Sequence, residues 1–191
     1  PAGSIHLVGN TVVDALRQTL ASTRPGKSVE LIQQWAAGKR LVLVTTHRRE
    51  NFGETMSQHL RALRDFIESQ PDLCMVFPVH PNPNVRAAVA AGLDHHPRIR
   101  LTDPMGYRDF IHLLSHTWLI VSDSGGIQEE ATALGKAMIV LRENTERPEA
   151  VECGVARLVG ESPERLRDML STALMDEVWH ASASQSRQVF G

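Results

Sequence analysis

Six short apolar runs, most of them unbroken by polar residues, constrain this chain more than any other feature. They read LVLVTT (41–46), LCMVFPV (73–79), RIRLTD (98–103), WLIVSD (118–123), AMIVL (137–141) and VARLVG (155–160). A strand with one wet face alternates apolar and polar residues, whereas an unbroken run of strand length implies burial on both faces. The stretches between them carry helical spacing. Met56, Leu60, Leu63 and Ile67 recur over 55–70, and Tyr107, Phe110, Ile111 and Leu114 share a face over 107–116. Leu166, Met169, Leu170, Ala173 and Leu174 form a stripe over 163–175, with Ser162 its expected N-cap and Pro163 its first residue. A short helix over 127–134 stops at Gly135, and two more are expected over 11–21 and 29–37. Strand and helix alternating through six units predict an α/β fold: a three-layer αβα sandwich, doubly wound around a parallel Rossmann-like sheet. The polar, aperiodic stretch 181–191 is expected to be a surface tail, or to pack on something outside the domain.

A length of 191 residues suits one domain, or one half of a two-domain protein. Hydrophobic residues at 42% and charged residues at 22% support a packed core and argue against disorder. A net charge of −2 gives no reason to expect a nucleic acid or an anionic membrane as partner. The apolar runs are far too short to span a bilayer. The chain begins at Pro1 without a basic-then-apolar leader, so it is expected to be a piece of a larger protein. Cys74 and Cys153 read as reduced thiols of a cytosolic protein.

In an open parallel sheet, ligands bind beyond the carboxyl ends of the strands. VSDSGGIQEEATALG (121–135) leaves such an end through Asp123, Ser124, Gly125 and Gly126, and a helix starts directly behind. A helix N-terminus presents unpaired N–H groups and positive charge, and glycines let a phosphate approach them. Glu130, one turn after Gly126, is placed to accept from the two hydroxyls of a ribose. The alternative is that Ser124 only caps the helix, while Glu129 and Glu130 favour its dipole. TTHRREN (45–51) follows the first run and concentrates His47, Arg48 and Arg49 at the same edge. A histidine there can donate a proton or hold an oxyanion, and arginines bind phosphate. His80, in VHPNPNVR (79–86), is either a turn residue or a ligand contact. In NTERPEA (144–150), Arg147 can reach a phosphate or sugar, and Pro148 opens the next helix. Two histidine pairs, His112 with His116 and His95 with His96, are expected on the surface rather than on a metal. No Gly-x-Ser-x-Gly, Walker or Gly-x-Gly-x-x-Gly motif is present.

GNTVVDAL (9–16), THRREN (46–51), PVHPNPNVR (78–86), SDSGGIQEEATALGK (122–136) and TERPEAV (145–151) occur in that order. From about Gly9 to about Gly160 this set resembles the C-terminal half of bacterial non-hydrolysing UDP-N-acetylglucosamine 2-epimerases. The resemblance implies one of two Rossmann-like domains in the GT-B arrangement, with the active site in the cleft between them. It implies interconversion of UDP-N-acetylglucosamine and UDP-N-acetylmannosamine by elimination of UDP to 2-acetamidoglucal and re-addition, feeding surface-polysaccharide synthesis. It further implies a cytoplasmic homodimer that needs neither a metal nor a redox cofactor, and that has no nucleic-acid or membrane partner.

Residue by residue, the resemblance gives His47 a place facing the diphosphate, where it assists loss of UDP. It gives Ser124, Gly125 and Gly126 phosphate contacts, Glu130 the ribose hydroxyls, Arg147 the phosphate or sugar, and Phe110 the uracil pocket. Arg48, Arg49 and His80 resemble positions that in some bacterial members serve a second, activating UDP-sugar site. Pro81 departs from the residue that often follows the histidine, which puts the shape of that turn in doubt. The family's acid–base carboxylates belong to the N-terminal half, which is not in this chain, so the isolated chain is expected to fold and bind UDP without epimerising. Three other readings are a GT-B glycosyltransferase half, a hydrolysing epimerase and a non-catalytic UDP-sugar-binding domain. Against the first, Ala137 and Met138 stand where retaining transferases often carry a second glutamate.

Overall fold

Each of the six apolar runs is a strand in the computed structural model, which describes residues 2–4, 6, 8–48, 52–93, 95–187 and 189–190. The strands are β1 (Arg40–Thr45), β2 (Leu73–Pro78), β3 (Ile99–Thr102), β4 (Leu119–Ser122), β5 (Met138–Val140) and β6 (Ala156–Leu158). They form one sheet in the order β3-β2-β1-β4-β5-β6, with every pairing parallel. Chain order reverses at the centre, where β1 lies between β2 and β4. Val42, Leu43, Val44, Met75, Val76, Ile120 and Val121 have no exposed surface, which is why these strands do not alternate.

The helices are α1 (Thr11–Ser22), α2 (Lys27–Trp35), α3 (Glu54–Ser69), α4 (Pro83–Leu93), α5 (Tyr107–Ser115), α6 (Gly125–Leu134), α7 (Pro148–Glu152), α8 (Pro163–Met175) and α9 (Glu177–Gln185). In one layer α3 packs against α4 and α8; in the other α1 packs against α5 and α6, and α2 against α5. Ser162 caps α8 by accepting from the Arg165 N–H, and Pro163 opens it. No helix among the described residues is long and apolar enough to cross a membrane.

Two expectations are corrected. Within the stretch 181–191, residues 181–185 are not a tail but the second half of α9. Asp176 caps α9 by accepting from the Trp179 N–H at 2.8 Å, and Trp179 and Ala183 point into the core. The Trp179 indole donates to the Val155 carbonyl at 3.2 Å, and the Arg157 guanidinium lies 4.0 Å above its ring. Two anchors one turn apart in a polar stretch are too few to register as periodicity, yet one indole docks the helix. Nor is His112 a surface residue: it is buried, with Nε2 3.0 Å from the Thr23 hydroxyl. His116 is exposed, as expected. His95 is exposed at φ 59°, whereas the His96 ring is nearly buried and accepts from the Arg98 N–H.

Gly135 ends α6 in the left-handed conformation, at φ 67° and ψ 43°. A Cβ at this position would meet the Ser184 Cα at 2.7 Å and the Ala183 carbonyl at 3.0 Å. Gly135→Ala therefore combines an αL penalty of about 1–2 kcal/mol with a backbone clash against α9 costing about 1–3 kcal/mol. The expected result is a loss of roughly 2–5 kcal/mol, read as a lower urea midpoint with an unaltered slope. An unmoved midpoint would show that α9 yields freely.

Candidate functional site

Parallel pairing sets Thr45 opposite Ser122, and their hydroxyls are 2.7 Å apart. The chain leaves both strands at the same carboxyl edge, so Asp123 meets residues 46–48. Its side chain has no exposed surface. It accepts from the Thr46 hydroxyl at 2.7 Å, the His47 N–H at 3.1 Å and the Arg48 N–H at 3.0 Å. One of its oxygens is 3.1 Å from His47 Nδ1. That hydrogen bond holds the His47 pKa above its ordinary 6.5, outweighing partial burial and the nearby Arg48 charge. The His47 ring is 46% exposed.

A cavity of about 370 Å³ opens beside His47, with Thr46, Met105, Phe110, Ser124 and Ile127 in its wall. Phe110 and Met105 give its wall apolar surface. Ser124 and Ile127 bring the start of α6 to the same cavity. Ser124 occupies the N-cap position but makes no side-chain cap bond, so helix capping does not account for its hydroxyl. Neither Gly125 nor Gly126 has positive φ. A Cβ on Gly125 would come no nearer than 3.7 Å to any neighbour, and one on Gly126 no nearer than 3.9 Å. The pair is therefore not required by a bend or by internal packing; it leaves the α6 N–H groups open to an approaching anion.

Glu129 and Glu130 are both buried, at 9% and 8% exposure. Burial, and then the charge of Glu129, push the Glu130 pKa to about 7. Glu129 accepts a hydrogen bond from Arg147 Nε. Arg147 is held further by its own N–H on the Thr145 hydroxyl at 3.0 Å. Thr145 in turn donates to the fully buried Gln128 amide oxygen at 2.6 Å. Loop 142–147 is also tied by Arg142, which grips Glu146 through two bonds of 2.6 and 2.9 Å. Arg48 reaches the same carboxylate at 3.8 Å.

His47, Phe110 and Ser124 line one cavity, Gly125, Gly126 and Glu130 follow on α6, and Arg147 is the N-cap of α7. His80 joins them: its ring stacks on His47 at 6.0 Å, while its Nδ1 accepts from the Asn82 N–H. Arg49 lies outside the described residues. The sequence reading does not single out Thr46, Gln128 or Thr145, names Glu129 only as a helix-dipole residue, and takes Asp123 only as part of the turn. Their one available signal was placement, each being a polar residue within two positions of a predicted site residue. A second concavity of about 330 Å³, beside Arg86 and Asp103, holds none of the predicted residues. Among the described residues, no group of three histidine, cysteine or carboxylate side chains is arranged to hold a metal ion.

A reversed-order parallel sheet with a glycine-opened helix at its crossover defines a Rossmann-like half of the GT-B type. An α,α-trehalose 6-phosphate synthase from Burkholderia multivorans, 14% identical with a TM-score of 0.67 over 95% of this chain, shares that fold. The chain belongs to the UDP-N-acetylglucosamine 2-epimerase family, whose sequence profile matches residues 1–191. It is 42% identical over 193 residues to the UDP-N-acetylglucosamine 2-epimerase of Escherichia coli K12, covering 98% of this chain and 51% of that protein. Among solved structures it is similar to the S. aureus MnaA–UDP co-structure, with 34% identity, a TM-score of 0.91, and coverage of 100% of this chain and 51% of that one. It is also similar to the Neisseria meningitidis UDP-GlcNAc 2-epimerase bound to UDP-GlcNAc, with 33% identity, a TM-score of 0.87, and coverage of 100% and 53%. The chain spans about half the length of these relatives.

Because the folded-state pKa of Glu130 lies above the ordinary 4.5, its ionisation costs stability as pH rises through about 7. Glu130→Gln removes that cost. Relative to the parent chain, the variant should gain roughly 1–3 kcal/mol more at pH 8 than at pH 5, measured from urea midpoints at the two pH values. An equal difference at both would show that no charge is buried at this position.

Proposed function

We propose that this chain is the C-terminal, nucleotide-binding half of a non-hydrolysing UDP-N-acetylglucosamine 2-epimerase, converting UDP-N-acetylglucosamine to UDP-N-acetylmannosamine and back. One observation carries the reading. His47, raised in pKa by a buried carboxylate, faces the same cavity as Ser124 and Ile127 at the start of α6, the helix that carries the buried Glu130. Uracil would lie against Phe110, the ribose hydroxyls on Glu130, and the diphosphate between Ser124–Gly126, Arg147 and His47. In the elimination, a base outside this chain takes the proton from C2. The C1–O bond breaks with its electron pair leaving on UDP, and the imidazolium of His47 hydrogen-bonds the charge that appears on the diphosphate. Re-addition of UDP to C1 and of a proton to the other face of C2 completes the exchange. No metal or redox group is needed for that balance. The whole protein is read as a cytoplasmic homodimer on the strength of the family resemblance.

Titration calorimetry of UDP into this chain tests the binding half of the proposal. Glu130→Ala should weaken binding by about tenfold or more, since a charged hydrogen-bond acceptor is lost; equal affinity would remove Glu130 from the site. In the whole enzyme, His47→Ala should lower turnover by about 10²–10⁴-fold. Turnover near that of the parent would refute the role given to His47.

A further inference from the structure

We propose that Asp123 is a positioning residue for His47, fixing which ring nitrogen carries the proton and which one faces the ligand. The consequence for catalysis rests on the reading of His47 as the group that faces the diphosphate. Asp123 has no exposed surface, although it is a carboxylate directly after β4, at the carboxyl edge of the sheet. A buried carboxylate is tolerated when hydrogen bonds replace its water. Here the Thr46 hydroxyl and the N–H groups of His47 and Arg48 do so at 2.7, 3.1 and 3.0 Å. The same carboxylate therefore holds the backbone that carries the imidazole and, at 3.1 Å, the Nδ1 of the imidazole itself.

An ionised carboxylate only accepts hydrogen bonds. Nδ1 must then keep its proton in both charge states of the ring. The proton that the ring gains or loses is the one on Nε2, across the ring from Asp123, and His47 lines the cavity. Free imidazole in water does not enforce that choice; the buried carboxylate does. Among the described residues, the other charged and titratable groups around the ring are Arg48, which opposes protonation, and His80, stacked at 6.0 Å. Glu146 lies beyond Arg48, 3.8 Å from its guanidinium.

The test is long-range ¹H–¹⁵N NMR of this chain labelled at histidine, with the His47 signals assigned through His47→Gln and followed over pH. In the parent chain the neutral ring should carry its proton on Nδ1. Asp123→Asn keeps an oxygen for the backbone N–H groups but can offer an amide N–H to Nδ1. Its neutral ring should switch to the Nε2–H form, and its pKa should fall below the parent value. A merely structural role for Asp123 would move neither signature. An Nε2–H form in the parent chain overturns the proposal, as does a folded Asp123→Asn whose His47 tautomer and pKa are unchanged. If Asp123→Asn does not fold, the parent tautomer alone decides, Nδ1–H supporting the proposal and Nε2–H refuting it. UDP titration of the same samples separates this from the functional reading: binding should weaken roughly tenfold in Asp123→Asn. A switched tautomer with unaltered UDP affinity supports the positioning role while refuting the diphosphate-facing role of His47.

Discussion

Parallel pairing of β1 with β4 sets Thr45 beside Ser122, and the site depends on that pairing. Strand order reverses at this point, so the connections leaving the two strands run to opposite layers and open a crevice between them. Into the crevice project residues 46–48 from one side and the start of α6 from the other. Asp123 closes the junction by accepting hydrogen bonds from Thr46, His47 and Arg48. A one-residue slip between β1 and β4 would separate these groups by about 3.3 Å, the rise of a strand, beyond the reach of any of those bonds.

Two buried carboxylates in this site meet opposite fates for a simple electrostatic reason. Asp123 lies deeper, yet its oxygens are filled by backbone, hydroxyl and imidazole donors, and in its ionised form it raises the His47 pKa. Glu130 is buried beside a second carboxylate, and its pKa climbs to about 7. Glu129 accepts a hydrogen bond from Arg147. Asp123 and Glu129 thus hold protein groups in place.

The opposite end of the sheet is built for anchoring. Arg40 lies 4.6 Å from the Trp118 ring centroid, and Trp118 stacks on His180 at 4.8 Å. His180 in turn meets Trp179, which Arg157 covers. Burial is the main cause that lowers the His180 pKa, keeping a neutral ring in this stack. Together with Gly135 these contacts fasten α9 to the sheet, well away from the carboxyl edge where ligand chemistry belongs. Rigidity at one edge and open hydrogen-bonding groups at the other follow from the direction that all six strands share.

The amino-acid sequence by itself determined the strands, most of the helices, the parallel class of the sheet and the loops that bear chemistry. Those features are local: apolar runs, helical spacing, Pro163 and Gly135 at helix ends, and Gly125–Gly126 behind a strand all act within a few residues. It also placed His47, Ser124 and Arg147 in the connections that leave strand ends, because a parallel sheet sends every such end to one edge, and Glu130 one turn into the helix behind Ser124. What only the tertiary structure decided concerns pairs distant in the chain. That Asp123 lies under His47, that Glu129 engages Arg147, and that Gln128 holds Thr145 depend on strand order and register, which no single segment encodes. The burial of His112 against Thr23 and the docking of α9 through Trp179 were hidden for the same reason. Each rests on one side chain meeting a partner supplied by another part of the chain, and an isolated contact leaves no period to read.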